Sequence, residues 1–389
     1  MKKIRFGIIG VGNQGTYYSN GLFKEGKIEN GELVAICDLK QDRIDALKEK
    51  LGDVKVKTFT DYNEMLDSGE VDAVIITTPH YSHPEIVINC LNKGINVICD
   101  KPAGVYTKQV LEMNEVAKKA GAKFAMMFNQ RTNCVYRKMR ELINSGEIGE
   151  IQRVTWIITD WFRTQFYYDS GSWRATWAGE GGGVLINQCP HQIDLVSWVV
   201  GKMPKSVRGF CKYGHWHDIE VEDEVTAYFE YDNGATGVFI TTTGETPGTN
   251  RFEVSGTKGK LVCENNKLFF HKLDNDSQTH YKALEKMFVD SVSEVIEVET
   301  DGNNFQHAGI INNFANHLLG LEELFTPGVE GINGVELMNA IELSGWNDGE
   351  RISIPVDADR YLNELNEKRK NSRLKVVKEV GPADTTGTF

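Results

Sequence analysis

The chain has 389 residues, enough for two cores rather than one. Its net charge of −12 argues against a nucleic-acid partner, whose phosphates require a basic face. No apolar run reaches the length of a bilayer span, and Met1-Lys2-Lys3 runs straight into a strand pattern with no room for a signal peptide, so neither a membrane nor export is expected and the cytoplasm is. An apolar run over 4–9 predicts the first strand. It empties into Gly10-Val11-Gly12-Asn13-Gln14-Gly15, and a helix-compatible segment follows over 16–24. In that setting the GxGxxG pattern is a dinucleotide-binding turn. Gly10 permits the tight turn, Gly12 lets backbone approach a pyrophosphate, and Gly15 lets the helix pack close to the sheet. Asn13 and Gln14 belong to the same cradle, where a helix N-terminus offers N–H donors to phosphates.

A second run over 32–37 ends in Asp38, about 20 residues past the glycines, where the adenosine ribose is held. A carboxylate there accepts both ribose hydroxyls of NAD and repels a 2′-phosphate. Lys40 and Arg43 soften that repulsion, so NAD is favoured and NADP disfavoured. Asp38 also suits the N-cap of the helix predicted over 41–51. Then come a strand over 54–58, a small helix over 61–66, and an apolar strand over 71–77 stopped at Pro79. A helix over 84–92, a strand over 95–99, a helix over 107–120 and a strand over 123–128 complete the alternation. Near-continuous apolar strands separated by helices predict a doubly wound parallel sheet. Ligands sit at the carboxyl ends of such strands, where Asp38, Thr77, Asp100 and Asn129 fall.

After about residue 149 the character changes. A long strand over 151–158 leads into an aromatic, Gly-rich stretch over 161–183, then a helix over 187–200. Alternating segments over 207–213, 224–231, 235–243 and 251–255 predict a large open mixed or antiparallel sheet. Helices are expected over 304–319 and 334–343. The expected organisation is therefore an N-terminal Rossmann domain over 1–130 and an α+β domain over 131–389 for substrate binding and oligomerisation, with the last helices packing back on the first domain. The tail over 381–389 lacks periodicity, which predicts a segment that is mobile or held by a partner. The seven cysteines are scattered without a CxxC pair and read as buried, reduced thiols.

Two further segments carry chemistry. Asp100-Lys101-Pro102 puts an amine at the carboxyl edge of a nucleotide-binding sheet, on a turn stiffened by proline. Gly181-Gly182-Gly183 precedes Asn187, His191 and Asp194, spaced to share one face of the predicted helix. With the glycine turn, with Thr78-Pro79 and His83, with 145–151 and with 331–355, these segments resemble the glucose–fructose oxidoreductase / inositol dehydrogenase family, Gfo/Idh/MocA, over nearly the whole chain. Members of that family typically show a Glu-Lys-Pro turn and an Asp four residues before the His. Here Asp100 stands in place of the Glu and Asn187 in place of the Asp. An amide hydrogen-bonds a hydroxyl but takes no proton, which moves proton transfer to Lys101 and His191.

The resemblance implies an NAD-dependent dehydrogenase of a secondary alcohol on a sugar, glycoside or inositol. Lys101 takes the hydroxyl proton as hydride leaves, and His191 hydrogen-bonds the same hydroxyl or relays the proton, with Asp194 orienting its ring. Lysine is a poor base at its ordinary pKa of ~10.4, but burial and nearby positive charge lower it. Thr77, Thr78, Pro79, His83, Asp100 and Asn129 then line the cofactor. Trp161, Arg163, Trp173, Asn187 and Arg131 are the substrate candidates, since indole faces stack on sugar C–H surfaces and guanidinium groups donate to several hydroxyls. The plainer reading of the aromatic stretch is a core under a long loop, and that of His83 is a helix-entry residue. No HxxxH or HExxH spacing supports a metal site. Two rival functions stay open: a glycoside-cleaving enzyme that retains NAD and oxidises transiently, and a non-catalytic sugar or cofactor sensor. The resemblance also implies a homodimer or homotetramer formed through the second-domain sheet.

Overall fold

The computed structural model describes residues 2–282, 287–288, 292–373 and 375; the tail over 381–389 lies outside them. The chain forms two compact units, one from 1–134 with 302–335, the other from 135–301 with 336–389.

In the first unit six strands form a parallel sheet: β1 (Ile4–Ile9), β2 (Gly31–Cys37), β3 (Lys57–Phe59), β4 (Ala73–Ile76), β5 (Asn96–Cys99) and β6 (Phe124–Met126). Their order is β3-β2-β1-β4-β5-β6, so the direction of winding reverses between β1 and β4. Strand interiors are apolar on both faces because helices cover both: Phe6, Ile8, Ile36, Ile75 and Ile98 are fully buried. The helix Gln41–Leu51 buries Ile44, Leu47 and Leu51, at the spacing of one helical face. The small helix Tyr62–Asp67 starts where Asp61 accepts the Asn63 amide at 2.8 Å. Residues 302–335 belong to this unit: the helix Gln306–Leu318 adds Ile310, Ile311, Phe314 and Ala315 to the core around β1 and β2.

The second unit is built on nine strands: β7 (Ile151–Ile158), β8 (Ser206–Tyr213), β9 (Glu222–Glu230), β10 (Thr236–Thr242), β11 (Asn250–Gly256), β12 (Gly259–Glu264), β13 (Lys267–Leu273), β14 (Ser293–Glu297) and β15 (Ile352–Ser353). Their order is β14-β13-β12-β11-β7-β10-β9-β8-β15. β7 and β10 pair parallel and the other pairs are antiparallel, so the sheet is mixed. Alternation is clear in β9, where Val225, Ala227 and Phe229 are buried while Thr226 and Tyr228 face outward. The core face carries Trp156 stacked on Phe252, ring centroids 4.1 Å apart. The helix expected over 187–200 begins later, as Pro190–Val200 with proline in its first turn. Asn187 therefore lies in the turns before the helix, which corrects the expectation that Asn187, His191 and Asp194 share one helical face.

Candidate active site

The glycine turn follows β1 as the sequence predicts. Gly10 adopts φ +95°, and a Cβ there would press on the Thr77 carbonyl at 3.0 Å. A Cβ on Gly15 would collide with the Gly10 carbonyl oxygen. Beyond its own chain neighbours, no described atom lies within 4 Å of the Cβ position at Gly12, so the backbone is open to a ligand there. Helix winding begins at Asn13, earlier than expected. Thr77, at the end of β4, donates to Gly10 O at 2.5 Å and holds the turn against the neighbouring strand. Asp38, 8 % exposed, accepts the Val11 amide at 2.9 Å and the Lys40 amide at 3.0 Å, with Arg43 at 3.7 Å. It does not cap the helix at Gln41; Lys40 occupies the N-cap position. Asn129, after β6, is buried; its amide donates to Gln306 at 2.6 Å, and its Oδ1 has no partner among the described residues. A backbone opening at Gly12 and an unpartnered buried carbonyl at Asn129 both suit a bound dinucleotide.

Beside these strand ends stands the Asp100-Lys101-Pro102 turn. Asp100 accepts the Lys101 amide at 2.8 Å and the Tyr18 hydroxyl at 3.0 Å. Tyr18 is fully buried and burial raises its pKa; Gln14 also hydrogen-bonds its hydroxyl. Asp100 thus ties the lysine turn to the helix that leaves the glycine turn. His83 has one ring nitrogen 2.7 Å from Thr78 O and the other 2.8 Å from Pro102 O. It is the first residue of the helix His83–Asn92 and clamps two loops together; burial lowers its pKa against the pull of the two carbonyls. Pro79 O accepts the Ser82 amide, and the Ser82 hydroxyl oxygen lies 2.7 Å from both Pro79 O and the Thr78 hydroxyl. His307 packs on Tyr17 and Tyr18 and is pushed down to about 4 by burial; Lys101 lowers it too, while Asp100 opposes. Lys101 itself is half-buried. Tyr18 and His307 carried no pattern in the sequence, because their partners lie far along the chain.

Arg131 follows β6. It is 1 % exposed, lies 4.6 Å from the Phe128 ring centre and pairs with Glu330. Its guanidinium is thus enclosed and held by a carboxylate.

In the second unit the turns through Gly183 are held from a distance. Both carboxylate oxygens of Glu222 accept the Gly183 amide at 2.8 Å, and one accepts the Leu185 amide at 3.0 Å. A Cβ on Gly183 would collide with the Glu222 carbonyl, which is why glycine is needed there. Glu342 is also fully enclosed and hydrogen-bonds Glu222. Burial, then the Glu222 charge, hold the Glu342 carboxyl protonated well above its ordinary 4.5. A raised folded pKa makes the folded state the tighter proton binder. Its contribution is complete below pH 4.5 and declines as pH climbs toward the folded value. Relative to Glu342→Gln, which cannot titrate, the wild type is expected to lose about 1.4 kcal/mol of stability per pH unit in that window. Urea unfolding of both proteins from about pH 5 to 8 measures the difference; a constant difference would refute the assignment.

Asn187 donates its side-chain amide to Glu180, a residue absent from the sequence-based candidates. His191 is half-buried and Asp194 is buried, both on the helix Pro190–Val200. The aromatic stretch forms an alternating stack. The Arg163 guanidinium lies 5.5 Å from the Trp161 ring and 5.3 Å from Tyr167; that of Arg174 lies 4.5 Å from Tyr167 and 4.8 Å from Trp173. The Tyr167 hydroxyl accepts from Arg174 at 2.7 Å and from Gln188 at 3.2 Å. Tyr167 is therefore the centre of the cluster, although the sequence singled out only its neighbours. Cys189 Sγ meets the Thr241 hydroxyl at 3.0 Å. The seven cysteines form no disulfide; five are buried and Cys134 and Cys211 are half-buried. Among the described residues no helix is long and apolar enough to cross a membrane.

A glycine turn at the switch point of a doubly wound sheet, with an acid at the carboxyl end of the second strand, is the arrangement of a dinucleotide-binding domain. Residues 4–128 match the profile of the oxidoreductase family with NAD-binding Rossmann fold, and residues 136–262 match the GFO/IDH/MocA C-terminal domain. The chain belongs to the GFO/IDH/MocA family. It is 28 % identical to myo-inositol 2-dehydrogenase of Thermotoga maritima over 67 % of this chain and 75 % of that protein. It is 30 % identical to D-glucoside 3-dehydrogenase of Escherichia coli over 52 % of this chain and 60 % of that one. Among solved structures, the WlbA dehydrogenase of Chromobacterium violaceum in complex with NADH and UDP-GlcNAcA matches at 26 % identity and a TM-score of 0.77, covering 92 % of this chain and 97 % of that chain.

Proposed function

We propose that the protein is an NAD-dependent dehydrogenase of a secondary hydroxyl on a sugar, glycoside or inositol. The observation that carries this reading is the Lys101 turn, fixed by Asp100 and His83 at the carboxyl edge of β5, on the same sheet edge as the glycine turn. Gly10, Gly12, Gly15, Asp38, Thr77 and Asn129 would hold NAD, and bound NAD supplies the acceptor for a hydride. Asp38 favours NAD over NADP, since a second anion beside a buried carboxylate is repelled. Lys101 takes the proton of the alcohol as its C–H bond breaks. His191 hydrogen-bonds the reacting hydroxyl, and Asn187 holds a hydroxyl through its amide. The stack of Trp161, Arg163, Tyr167, Arg174 and Trp173 supports a pyranose or glycoside, whose apolar face suits a ring and whose hydroxyls suit guanidinium donors. Phe210 and Tyr228, 56 % and 37 % exposed on one face of β8 and β9, support self-association through that sheet as a dimer or tetramer. Cysteines that are not joined in disulfides suit a cytoplasmic setting.

A panel of sugars, methyl glycosides, p-nitrophenyl glycosides and inositols, each with NAD and with NADP, tests the reading. Reduction of NAD by a pyranose or cyclitol, faster than that of NADP, is expected. Release of p-nitrophenol without accumulation of NADH would instead favour transient oxidation and cleavage. No reduction by any member of the panel would overturn the dehydrogenase reading.

A further inference from the structure

Glu180 is 1 % exposed, and both its carboxyl oxygens are engaged. Oε2 accepts the Ala175 amide at 2.6 Å, and Oε1 faces the side-chain amide of Asn187. Its own N–H donates to Thr176 O at 2.9 Å, so the residue closes the turn in which Ala175 adopts φ +52°. The charged and titratable groups around it are Arg174, which favours the ionised form, Glu222, which opposes it, and Lys375 and Tyr168, both of which feel its charge. Lys375 is anchored by Tyr168 O at 2.7 Å and Arg174 O at 3.2 Å. The family resemblance leads to the expectation of a carboxylate at position 187. In this chain an amide stands there, and a carboxyl sits one hydrogen bond behind it.

We propose that Glu180 is a positioning residue that sets which end of the Asn187 amide is offered to a substrate hydroxyl. The proposal rests on the reading above, in which Asn187 holds substrate. An amide has one donor end and one acceptor end. An ionised carboxylate only accepts, so Asn187 must give it the NH₂ group, and Oδ1 is the end turned away. A protonated Glu180 donates to Oδ1 instead, and the NH₂ group turns away. A hydroxyl that donates to Asn187 in the first state must accept in the second. The ionisation of an enclosed group thereby reverses hydrogen-bond polarity at the substrate: one proton is exchanged between solvent and the Glu180 carboxyl, whose O–H bond is the one covalent bond made or broken. Burial pushes Glu180 up to about 7, so both states are populated near neutrality.

The test uses the full chain and has two readouts. In protein labelled with ¹⁵N-asparagine, the NH₂ signals of Asn187 are identified by their absence from Asn187→Ala. They are expected to shift with a midpoint near pH 7 in the wild type and to stay constant in Glu180→Gln. Invariant wild-type signals across about pH 5 to 9, or an equal shift in Glu180→Gln, would overturn the proposal without reference to any substrate. With whichever sugar or inositol from the panel is oxidised, the pH profile of kcat/KM is expected to bend at the same midpoint. Glu180→Gln should lose that bend and fall about tenfold at the wild-type optimum. Asn187→Ala should lose it as well and provides a second test should the glutamine variant fold poorly. A bend that survives in either variant would mean that Glu180 does not act through Asn187. If no compound is oxidised, the dehydrogenase reading fails by itself, while the NMR titration still decides whether Glu180 governs the amide.

Discussion

Lys101→Ala is expected to lower kcat by roughly 10²–10⁴-fold, the usual contribution of a positioned general base. That corresponds to about 3–5 kcal/mol of transition-state stabilisation. NAD affinity should be nearly unchanged. The Lys101 backbone amide, which alanine retains, is what Asp100 accepts, so the turn keeps its anchor. Lys101→Arg separates base chemistry from charge: a guanidinium preserves the cation but does not deprotonate near neutrality. Both variants should therefore lose turnover alike. Fluorescence titration with NADH, alongside kcat with the best substrate of the panel, measures the two effects. Activity within tenfold of wild type in either variant would remove Lys101 from the proton-transfer role.

The second large effect separates two glycines three residues apart. Gly15→Ala is expected to destabilise the first unit and to abolish NAD binding together, because the new methyl group would meet the Gly10 carbonyl, a backbone atom that cannot swing aside. An overpacked site of this kind costs about 1–3 kcal/mol or more. Gly12→Ala meets no described atom within 4 Å, so its melting temperature should match the wild type. The added methyl group instead occupies the face where a pyrophosphate would approach, and NAD affinity should drop without a stability change. Thermal unfolding with and without NAD distinguishes the two. A destabilised Gly12→Ala, or a Gly15→Ala protein of normal stability, would contradict the assigned roles.

Much of the first unit was legible because its signals are local. The helix Gln41–Leu51 of that unit lies where periodicity puts it, as does the strand Ile151–Ile158 of the second unit, which an apolar run marks. The glycine turn carries its own explanation in Gly10 and Gly15. What escaped depends on partners far along the chain. Nothing near Gly183 announces that Glu222, 39 residues on, gathers its amide, or that the following helix is Pro190–Val200. Tyr18 and Asp100 meet across 82 residues, and Arg131 meets Glu330 across 199. Local signals were also missed. Asn265 and Asn266, with φ of +53° and +57°, make the tight hairpin between β12 and β13, and an Asn-Asn pair between apolar runs is a readable cue for it. The helix Ala358–Lys370 buries only Tyr361 and Leu365, too thin a stripe to stand out from its charged residues.

The return of residues 302–335 to the first unit bears on how this gene can be dissected. A fragment ending at residue 134 would retain all six parallel strands yet forfeit Ile310, Ile311 and Phe314 from its interior, leaving an oily flank bare to water. Such a truncation should precipitate. An autonomous nucleotide-binding module would instead require splicing the late segment onto the early one through a short artificial bridge.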